Sequence, residues 1–405
     1  MADLQFTSSQ SAFPEAAENL VARVVEAYLN QLLEEQMGDH LGADRHERTS
    51  ERQGYRNGTR ERQLFTRVGP ITLRVPQARD GGFSTDIFQR YQRSEQALVL
   101  AILEMFVNGV STRKVSAITE ALCGTSISKS AISRLIAQLD VRVAAFNERR
   151  LDELEFPFIY VDAMFIKSRE NDRIVSKAAL IASGVNANGY REPLGVALGD
   201  SESFTTWEAL FSSLRKRGLK GVAFVVSDEH AGLVQALRKH FAGATWQRCQ
   251  VHLQRNLLGH SPMRERKAVA DAAKRVFQAA DMSEARRQLD SFIETFAKTA
   301  RKAVACFEDA FEDATAVMCL PEKYRRRLRS TNMQERLNEE IRRRERVVRV
   351  FPNEASAVRL IGALLAEKAE TWQERIYLDM QEFREWSMAR AEEQSAAATA
   401  LPIAS

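Results

Sequence analysis

Two aspartates in this sequence stand where apolar strands would end. The largely apolar runs 156–161 and 222–227 lead into Asp162 and Asp228, which are 66 positions apart. If the two strands are neighbours, their carboxylates meet at one sheet edge, the usual place for a site in an open α/β sheet. Two adjacent carboxylates need a cation between them, and all-oxygen ligands suit Mg²⁺. The alternative is that each aspartate is an ordinary turn residue or helix N-cap.

A third acid lies on a strongly basic helix further along the chain. Residues 323–349 contain one lysine and ten arginines against four glutamates. A metal-binding acid beside arginines that bind phosphate is what a DNA-cleaving site needs. One helix face has i, i+3, i+7 spacing and presents an acid, an amide and an arginine, with two more arginines beside them: Glu335, Asn338 and Arg342, then Arg343 and Arg346.

Other interpretations of Glu335 stay open. Thr331 and Gln334 have the spacing of a capping box, and Glu335 could then only complement the positive end of the helix. Glu339 and Glu340 lie on the same helix, and periodicity does not exclude Glu339 as the third acid.

The pair Cys249 and His252 has the Cys-x-x-His spacing of half a zinc site. No second Cys/His pair is positioned to complete such a site. The residues therefore predict a packed cysteine and a hydrogen-bonded histidine that support the sheet edge without zinc.

The elements around these residues form an α/β pattern. Strands are predicted at 156–162, 175–182, 190–198, 222–228 and 245–249, with a hairpin turn at 186–189 and helices at 205–217 and 231–241. From 252 to 324 only helical periodicity is present. The last dozen residues, rich in alanine and serine, predict a frayed tail.

The N-terminal part has a different character. An apolar stripe from Pro14 predicts a helix that stops at Gly38 and packs on its own domain or on a second copy. Residues 50–93 carry nine arginines against four acids, and 63–76 predict a hairpin that turns at Gly69-Pro70.

Three short helices follow from residue 94. Ser111 and Ser128 are predicted N-caps of the second and third, and Cys123-Gly124 separates them. This is the helix-turn-helix pattern, although an ordinary three-helix bundle has it too. The DNA-facing residues of the last helix would be Lys129, Ser130, Ser133 and Arg134.

Composition narrows the class of protein. The 405 residues are 44% hydrophobic and 28% charged, with a net charge of +4, so the chain can fold into two or three domains. The four cysteines are scattered along the chain without a CxxC pair, so a disulfide framework is not expected. A secretory signal is not expected, because residues 1–13 lack the basic and apolar regions of one, and no apolar run approaches the roughly 20 residues of a membrane span. The expected location is the cytoplasm, on the nucleoid when DNA is bound.

Taken in order, four blocks of the sequence resemble the mutator-type bacterial insertion-sequence transposases. They are 160–162 (YVD), 226–233 (VSDEHAGL), 247–256 (QRCQVHLQRN) and 331–338 (TNMQERLN), the last continuing to 353. The resemblance covers most of the chain. Two departures are mild: Ala163 where the family often has glycine, and Glu229 where it often has a smaller residue.

The resemblance implies an RNase H-like fold with a metal-binding triad at Asp162, Asp228 and Glu335. It also implies a helical insertion between the second and third acids, and a Cys-x-x-His signature at Cys249 and His252. The expected fold class is an α/β core with a mixed sheet and an all-α insertion, preceded by a mainly helical DNA-binding region with a small β hairpin.

The expected domains run along the chain in six segments. They are a helical segment (1–50), a DNA-binding region (51–150), the first part of the core (151–254), the insertion (255–325), the second part of the core (326–385) and a flexible tail (386–405).

The expected activity is Mg²⁺-dependent strand cleavage and strand transfer, with Mn²⁺ as a substitute. The expected partners are terminal inverted repeats, target DNA and at least one more copy of the chain. Two rivals are a DNA-binding regulator with an inactive core, and an RNase H-like nuclease that never joins strands.

Overall fold

The chain forms two compact units, Met1–Gln138 and Leu139–Ser405. The structure is a computed structural model, and it describes residues 15–47, 49–50, 52–66, 69–85, 96–123 and 127–399. None of the helices in these ranges combines the length and apolar character that a membrane crossing requires.

The first unit begins with a long helix packed on a two-stranded antiparallel sheet. These elements are α1 (Glu15–Leu41), β1 (Arg56–Thr66) and β2 (Gly69–Ala78). Leu33 of α1 is buried against Leu64, Ile71 and Leu73 of the sheet. Part of the apolar stripe of the helix is therefore used within its own unit, whereas Val24 and Tyr28 are exposed.

Two local predictions for this unit were wrong. Gly38 lies inside α1, which continues to Leu41, because one helical glycine costs only about 1 kcal/mol. Gly69 and Pro70 open β2 and pair with Thr66 and Phe65, so both belong to the strand and not to a turn. Residues 67 and 68 lie outside the described ranges. Proline is tolerated in β2 because both strands of this sheet are edge strands.

Three helices complete the described part of the first unit: α2 (Gln96–Val107), α3 (Thr112–Cys123) and α4 (Lys129–Ile136). Ser111 Oγ accepts a hydrogen bond from the Lys114 amide at 3.3 Å, and Ser128 Oγ accepts one from Ala131 at 3.2 Å. Both predicted N-caps are thus confirmed. The predicted turn residue Gly124 lies outside the described residues.

The second unit contains a five-stranded mixed sheet in the order β5-β4-β3-β6-β7. Strands β5, β4 and β3 are antiparallel, whereas β6 and β7 run parallel to β3. The predicted β4–β5 hairpin is confirmed. The strands are β3 (Phe158–Glu170), β4 (Arg173–Val185), β5 (Arg191–Gly199), β6 (Phe224–Ser227) and β7 (Thr245–Arg248).

Helices lie before, between and after these strands. They are α5 (Leu139–Glu148), α6 (Phe204–Lys216), α7 (Ala231–His240), α8 (Gln250–Gly259), α9 (Arg266–Phe277), α10 (Met282–Phe296), α11 (Arg301–Thr315), α12 (Glu322–Leu328), α13 (Asn332–Val348), α14 (Glu354–Trp372) and α15 (Gln381–Thr399). The boundary between the units lies at 138, not near 150, because α5 packs on α14. Gly362 of α14 lets Val143 approach so closely that a Cβ there would stand 2.5 Å from it.

Helices α8 to α11 have their own apolar core, which includes Leu253, Phe292 and Phe307. The expected helical insertion is all-helical, as predicted. The prediction of a flexible tail from 386 is wrong for residues 386–399, because α15 continues to Thr399. Trp386 packs on the apolar cluster that contains Phe158 and Phe383. Alanine and glutamate are strong helix formers, which favours this helix. Residues 400–405 lie outside the described ranges.

The side chains of β3 alternate between two cores, as period-2 strands require. Ile159 and Val161 pack with α6 and α7, whereas Phe158 and Tyr160 pack with α12, α13 and α15. Asp162 continues the second series. It therefore lies on the sheet face that α13 covers.

Candidate active site

The pairing register of β3 and β6 brings the two aspartates side by side. Phe158 pairs with Phe224 and Tyr160 with Val226, an offset of 66 positions. Asp162 and Asp228 are separated by the same offset, so they are lateral neighbours on the face of Tyr160 and Val226. One prediction was wrong: Asp162 lies inside β3, which continues to Glu170 in its pairing with β4. Only Asp228 follows the end of its strand.

Helix α13 contacts this face through an amide. Asn338 Nδ2 donates to Asp162 Oδ2 at 2.8 Å, and the buried Gln334 Nε2 donates to Asn338 Oδ1 at 3.3 Å. Glu335 lies one turn before Asn338, on the same side of the helix. Its Oε1 is 3.4 Å from His252 Nε2 and 3.3 Å from Arg255 Nη1.

Asp162, Asp228 and Glu335 form the inner cluster. Burial, together with the charges of Asp228 and Glu335, raises the pKa of Asp162 to about 7, although His252 and the Ala163 amide act to lower it. Asp228 Oδ1 is buried, and no group among the described residues forms a hydrogen bond with it. The cluster thus holds carboxylate charge that the surrounding side chains do not fully balance.

Cys249 and His252 stand behind Glu335. Burial alone would raise the pKa of Cys249, but His252 and Thr331 outweigh it and lower the pKa. The Cys249 sulfur is the main cause that raises the pKa of His252 to about 9, and Asp162 and Asp228 add to it against burial. Within the part of the chain that the structure describes, no group lies in hydrogen-bonding geometry to His252 Nδ1.

The predicted capping box does not form. Thr331 makes no side-chain cap to α13, and its backbone N–H and its hydroxyl both lie 3.4 Å from Cys249 Sγ instead. The start of α13 is therefore attached to the end of β7 through the cysteine. This contact fixes the helix that carries Glu335.

Glu202, which the sequence analysis did not single out, lies beside Asp228. Its Oε1 accepts from Trp207 Nε1 at 3.2 Å and is 3.7 Å from His230 Nδ1. Burial and the charge of Asp228 raise the pKa of Glu202, while His230 lowers it. It precedes α6 in a polar turn, so no strand or helix pattern marks it in the sequence.

A second group of acids, the outer cluster, consists of Glu170, Asp200 and Glu354. Their carboxylate oxygens lie within 4.8 Å of one another, and no other group of three potential ligands in the described ranges is as tight. However, Lys177 Nζ is 2.8 Å from Glu170, 2.5 Å from Asp200 and 2.6 Å from Glu354. Hydrogen bonds to all three raise the pKa of Lys177. The protein's own ammonium therefore fills this cluster.

The remaining predicted residues are on the surface. Lys129, Ser130, Ser133 and Arg134 are exposed on α4 of the first unit. On α13, Arg342 is 4.0 Å from Glu345, Arg343 is 3.3 Å from Glu340, and Arg346 is exposed. Glu229, one of the two departures from the family pattern, is paired with the buried Arg248.

Comparison with known proteins gives consistent matches. A sequence model described as "Transposase, Mutator family" matches residues 2–375. The chain is 43% identical over 372 residues to the transposase for insertion sequence element IS256 in transposon Tn4001 of Staphylococcus aureus, covering 91% of this chain and 94% of that protein. It is 44% identical over 363 residues to the transposase for insertion sequence element ISRM5 of Rhizobium meliloti, covering 89% and 91%.

Among solved structures, the Drosophila P element transposase strand transfer complex aligns with 72% of this chain and 83% of that chain. The TM-score is 0.31 and the identity 10%, which is too low to establish a shared fold.

Proposed function

The chain belongs to the Mutator family of transposases, and we propose that it is a DDE-type enzyme that cuts and joins DNA with Mg²⁺ at Asp162, Asp228 and Glu335. The observation that carries the proposal is the shared register of the two aspartates on β3 and β6. Helix α13 covers the same sheet face, with Asn338 bonded to Asp162 and Glu335 one turn away.

We assign the sheet to the RNase H-like class. Three antiparallel strands come first in the chain, and two parallel strands joined through helices are added on the other side of β3. The all-helical segment 255–325 then separates these strands from the helix that carries Glu335. This order agrees with the insertion that the family resemblance implies.

The inner cluster fits a divalent ion. No described residue forms a hydrogen bond with the buried Oδ1 of Asp228. Burial and acidic neighbours raise the pKa of Asp162 to about 7. Hard oxygen ligands of this kind suit Mg²⁺, and Mn²⁺ should substitute. When bound, such ions stabilise the attacking and leaving oxygens of a phosphodiester displacement.

The chain's own residues orient the ligands. Asn338 fixes one oxygen of Asp162, and His252 with Arg255 sets the position of Glu335. Water attacks the phosphorus at the element's end and displaces a strand that ends in a 3′-hydroxyl. That hydroxyl attacks a target phosphodiester and displaces its 3′-oxygen. No side chain forms a covalent bond with DNA in either step.

We propose that recognition of the terminal inverted repeats belongs to the first unit. Helix α4 presents Lys129 and Arg134 to solvent beside Ser130 and Ser133. Arg342, Arg343 and Arg346 would contact backbone phosphates near the cut. Because two ends must be joined, we propose an assembly of at least two copies on DNA, acting in the cytoplasm at the nucleoid.

The test is strand cleavage and transfer on a duplex carrying the DNA that flanks the gene. Asp162→Ala, Asp228→Ala and Glu335→Ala should each abolish both steps and keep DNA binding, since each removes a metal-binding oxygen. Glu339→Ala is the matched control, because Glu339 is exposed on the same helix. Glu340→Ala should also keep most activity, but Glu340 pairs with the buried Arg344 and its loss can affect folding.

The outcomes separate the candidates. If Glu335→Ala cuts DNA normally while Glu339→Ala is inactive, the third metal ligand is Glu339. If the wild-type protein nicks DNA but never joins strands, it is a nuclease and not a transposase. If the wild-type protein neither nicks nor joins with Mg²⁺ or Mn²⁺ but binds the ends, it is a regulator.

A further inference from the structure

A cavity of about 420 Å³ lies on the side of α13 away from Asp162. It is enclosed by residues of β5, α12, α13 and α14 and by the turn between α12 and α13. Six of the lining side chains are cationic: Arg191, Arg326, Arg327, Arg329, Arg336 and Lys368.

The charge of this cavity is not balanced by the protein. Glu340 is the one acid in its lining, and Arg344 at 2.6 Å and Arg343 at 3.3 Å already hold that carboxylate. Within the described ranges, none of the six cations takes part in an ion pair. The Nε of Arg191 is buried, and no acceptor for it lies in the described part of the chain. Such a concentration of like charge needs an anion.

Two aromatic rings hold the arginines in place without neutralising them. The Arg191 guanidinium lies 4.6 Å from the centre of the Trp372 ring and 4.8 Å from that of Tyr377. Arg327 lies 4.8 Å from the Tyr377 ring. Stacking of this kind orders a guanidinium and leaves its N–H donors free for a ligand.

The first turn of α13 adds to the positive potential. Asn332 and Met333, its first two residues, line the cavity. Thr331 provides no side-chain cap. The leading amides of a helix lack intrahelical partners and carry the positive end of its dipole, which favours phosphate.

We propose that this cavity binds a backbone phosphate of the DNA near the bond that is cut. The proposal rests on the proposed function, because it takes the reacting bond to lie at the inner cluster on the other side of α13.

A DNA backbone fits better than a free nucleotide. The rings of Trp372 and Tyr377 already carry guanidinium groups, so they are not free to stack on a base. Arg326 and Arg336 are exposed and extend the positive surface outward from the cavity. A continuous polyanion can contact both the cavity and this surface.

The experiment measures binding of a duplex of the flanking DNA at several salt concentrations, in EDTA so that nothing is cut. The variant is Arg326→Gln with Arg336→Gln, both at exposed positions, and its melting temperature should match that of the wild type. We expect affinity to fall by about tenfold or more, and the plot of log K against log salt to become shallower by about 1. Arg287→Gln, exposed on α10, is the matched control and should change neither quantity.

Each outcome decides the proposal. Equal affinity and equal slope for the double variant and the wild type would overturn it, even if the triad variants behave as proposed above. Micromolar binding of pyrophosphate and of a nucleoside triphosphate to the wild type, lost in the double variant while DNA binding persists, would replace DNA with a free phosphate compound. A reduced slope in a protein that never cuts DNA would support the cavity and reject only the enzymatic function.

Discussion

The inner and outer clusters each bring three acids together, but they differ in what balances the charge. In the outer cluster the carboxylates are exposed and Lys177 Nζ lies among all three. In the inner cluster Asp162 accepts a hydrogen bond from a neutral amide, and no group in the described ranges hydrogen-bonds to the buried Oδ1 of Asp228, although His252 and Arg255 lie near Glu335. The tighter cluster is thus the satisfied one. Unbalanced buried charge, not the closeness of the oxygens, marks the better candidate for a metal site.

Neutralising one acid in each cluster should give the largest contrast. Asp228→Asn should lower strand cleavage by about 10³-fold or more, since metal ligation contributes several kcal/mol to the transition state. Glu170→Gln should stay within about twofold of the wild type, because Glu170 is half-exposed and contacts only Lys177 there. Single-turnover cleavage rates at saturating Mg²⁺ measure both. Comparable losses in the two variants would remove the distinction between the clusters.

The same contrast predicts a pH-dependent stability effect. The pKa of Asp162 in the folded protein, about 7, is above its ordinary value of 3.8, so the folded state holds this proton more tightly than the unfolded chain does. Its ionisation therefore costs stability that is absent below pH 4 and complete above pH 7. In EDTA, Asp162→Asn should stabilise the protein at pH 8 by at most about 4 kcal/mol, and by much less at pH 5.

Urea unfolding at the two pH values measures this difference. Glu170→Gln is the matched control and should show no such gain at pH 8. A gain for Asp162→Asn that is equal at both pH values would show that the charge of Asp162 is not its cause.

Much of this arrangement follows from the sequence, and its limits are physical. The apolar runs before Asp162 and Asp228 predicted two buried strands, because strand period and burial are local properties. That the two strands are neighbours was only a condition in the sequence analysis, and the pairing of β3 with β6 supplies it. The length of β3 beyond Asp162 did not follow, since its second half has exposed residues and is defined by pairing with β4. Thr331 looked like a cap because the sequence does not show that Cys249, 82 positions away, contacts it.

The sequence analysis did not predict Glu202 or the arginine-lined cavity, because both depend on contacts between distant parts of the chain. Glu202 is significant only because the fold buries it beside Asp228. Arg191 and Lys368 are isolated cations in the sequence, and only the packing of β5 against α14 brings them to the arginines of α12 and α13.

Glu202 lies beside Asp228 of the inner cluster, and replacing it should have an intermediate effect on the cleavage rate. Glu202→Gln should lower cleavage by about tenfold at low Mg²⁺, because groups behind a metal ligand typically change affinity or activity by 10- to 100-fold. Rates against Mg²⁺ concentration should show a weaker apparent affinity, with DNA binding unchanged. Glu208→Gln on α6 is the control, since Glu208 pairs with Lys239 instead. If the dependence of the cleavage rate on Mg²⁺ concentration is unchanged, Glu202 does not affect metal binding and only positions His230.

The smallest effect should come from removing the cation of the outer cluster. Lys177→Met leaves three acids with no ammonium among them, so the melting temperature should fall. Exposed carboxylates bind ions weakly, but Ca²⁺ at about ten times its Kd should restore roughly 2 to 4 °C. Thermal unfolding with and without Ca²⁺ measures this, in an Asp228→Asn background so that the inner cluster contributes little. The double variant Lys177→Met, Glu170→Gln should recover less, because one ligand is gone. If Ca²⁺ stabilises Lys177→Met no more than its parent, carboxylates freed of their own cation do not bind an external one here, and charge balance does not explain why the two clusters differ.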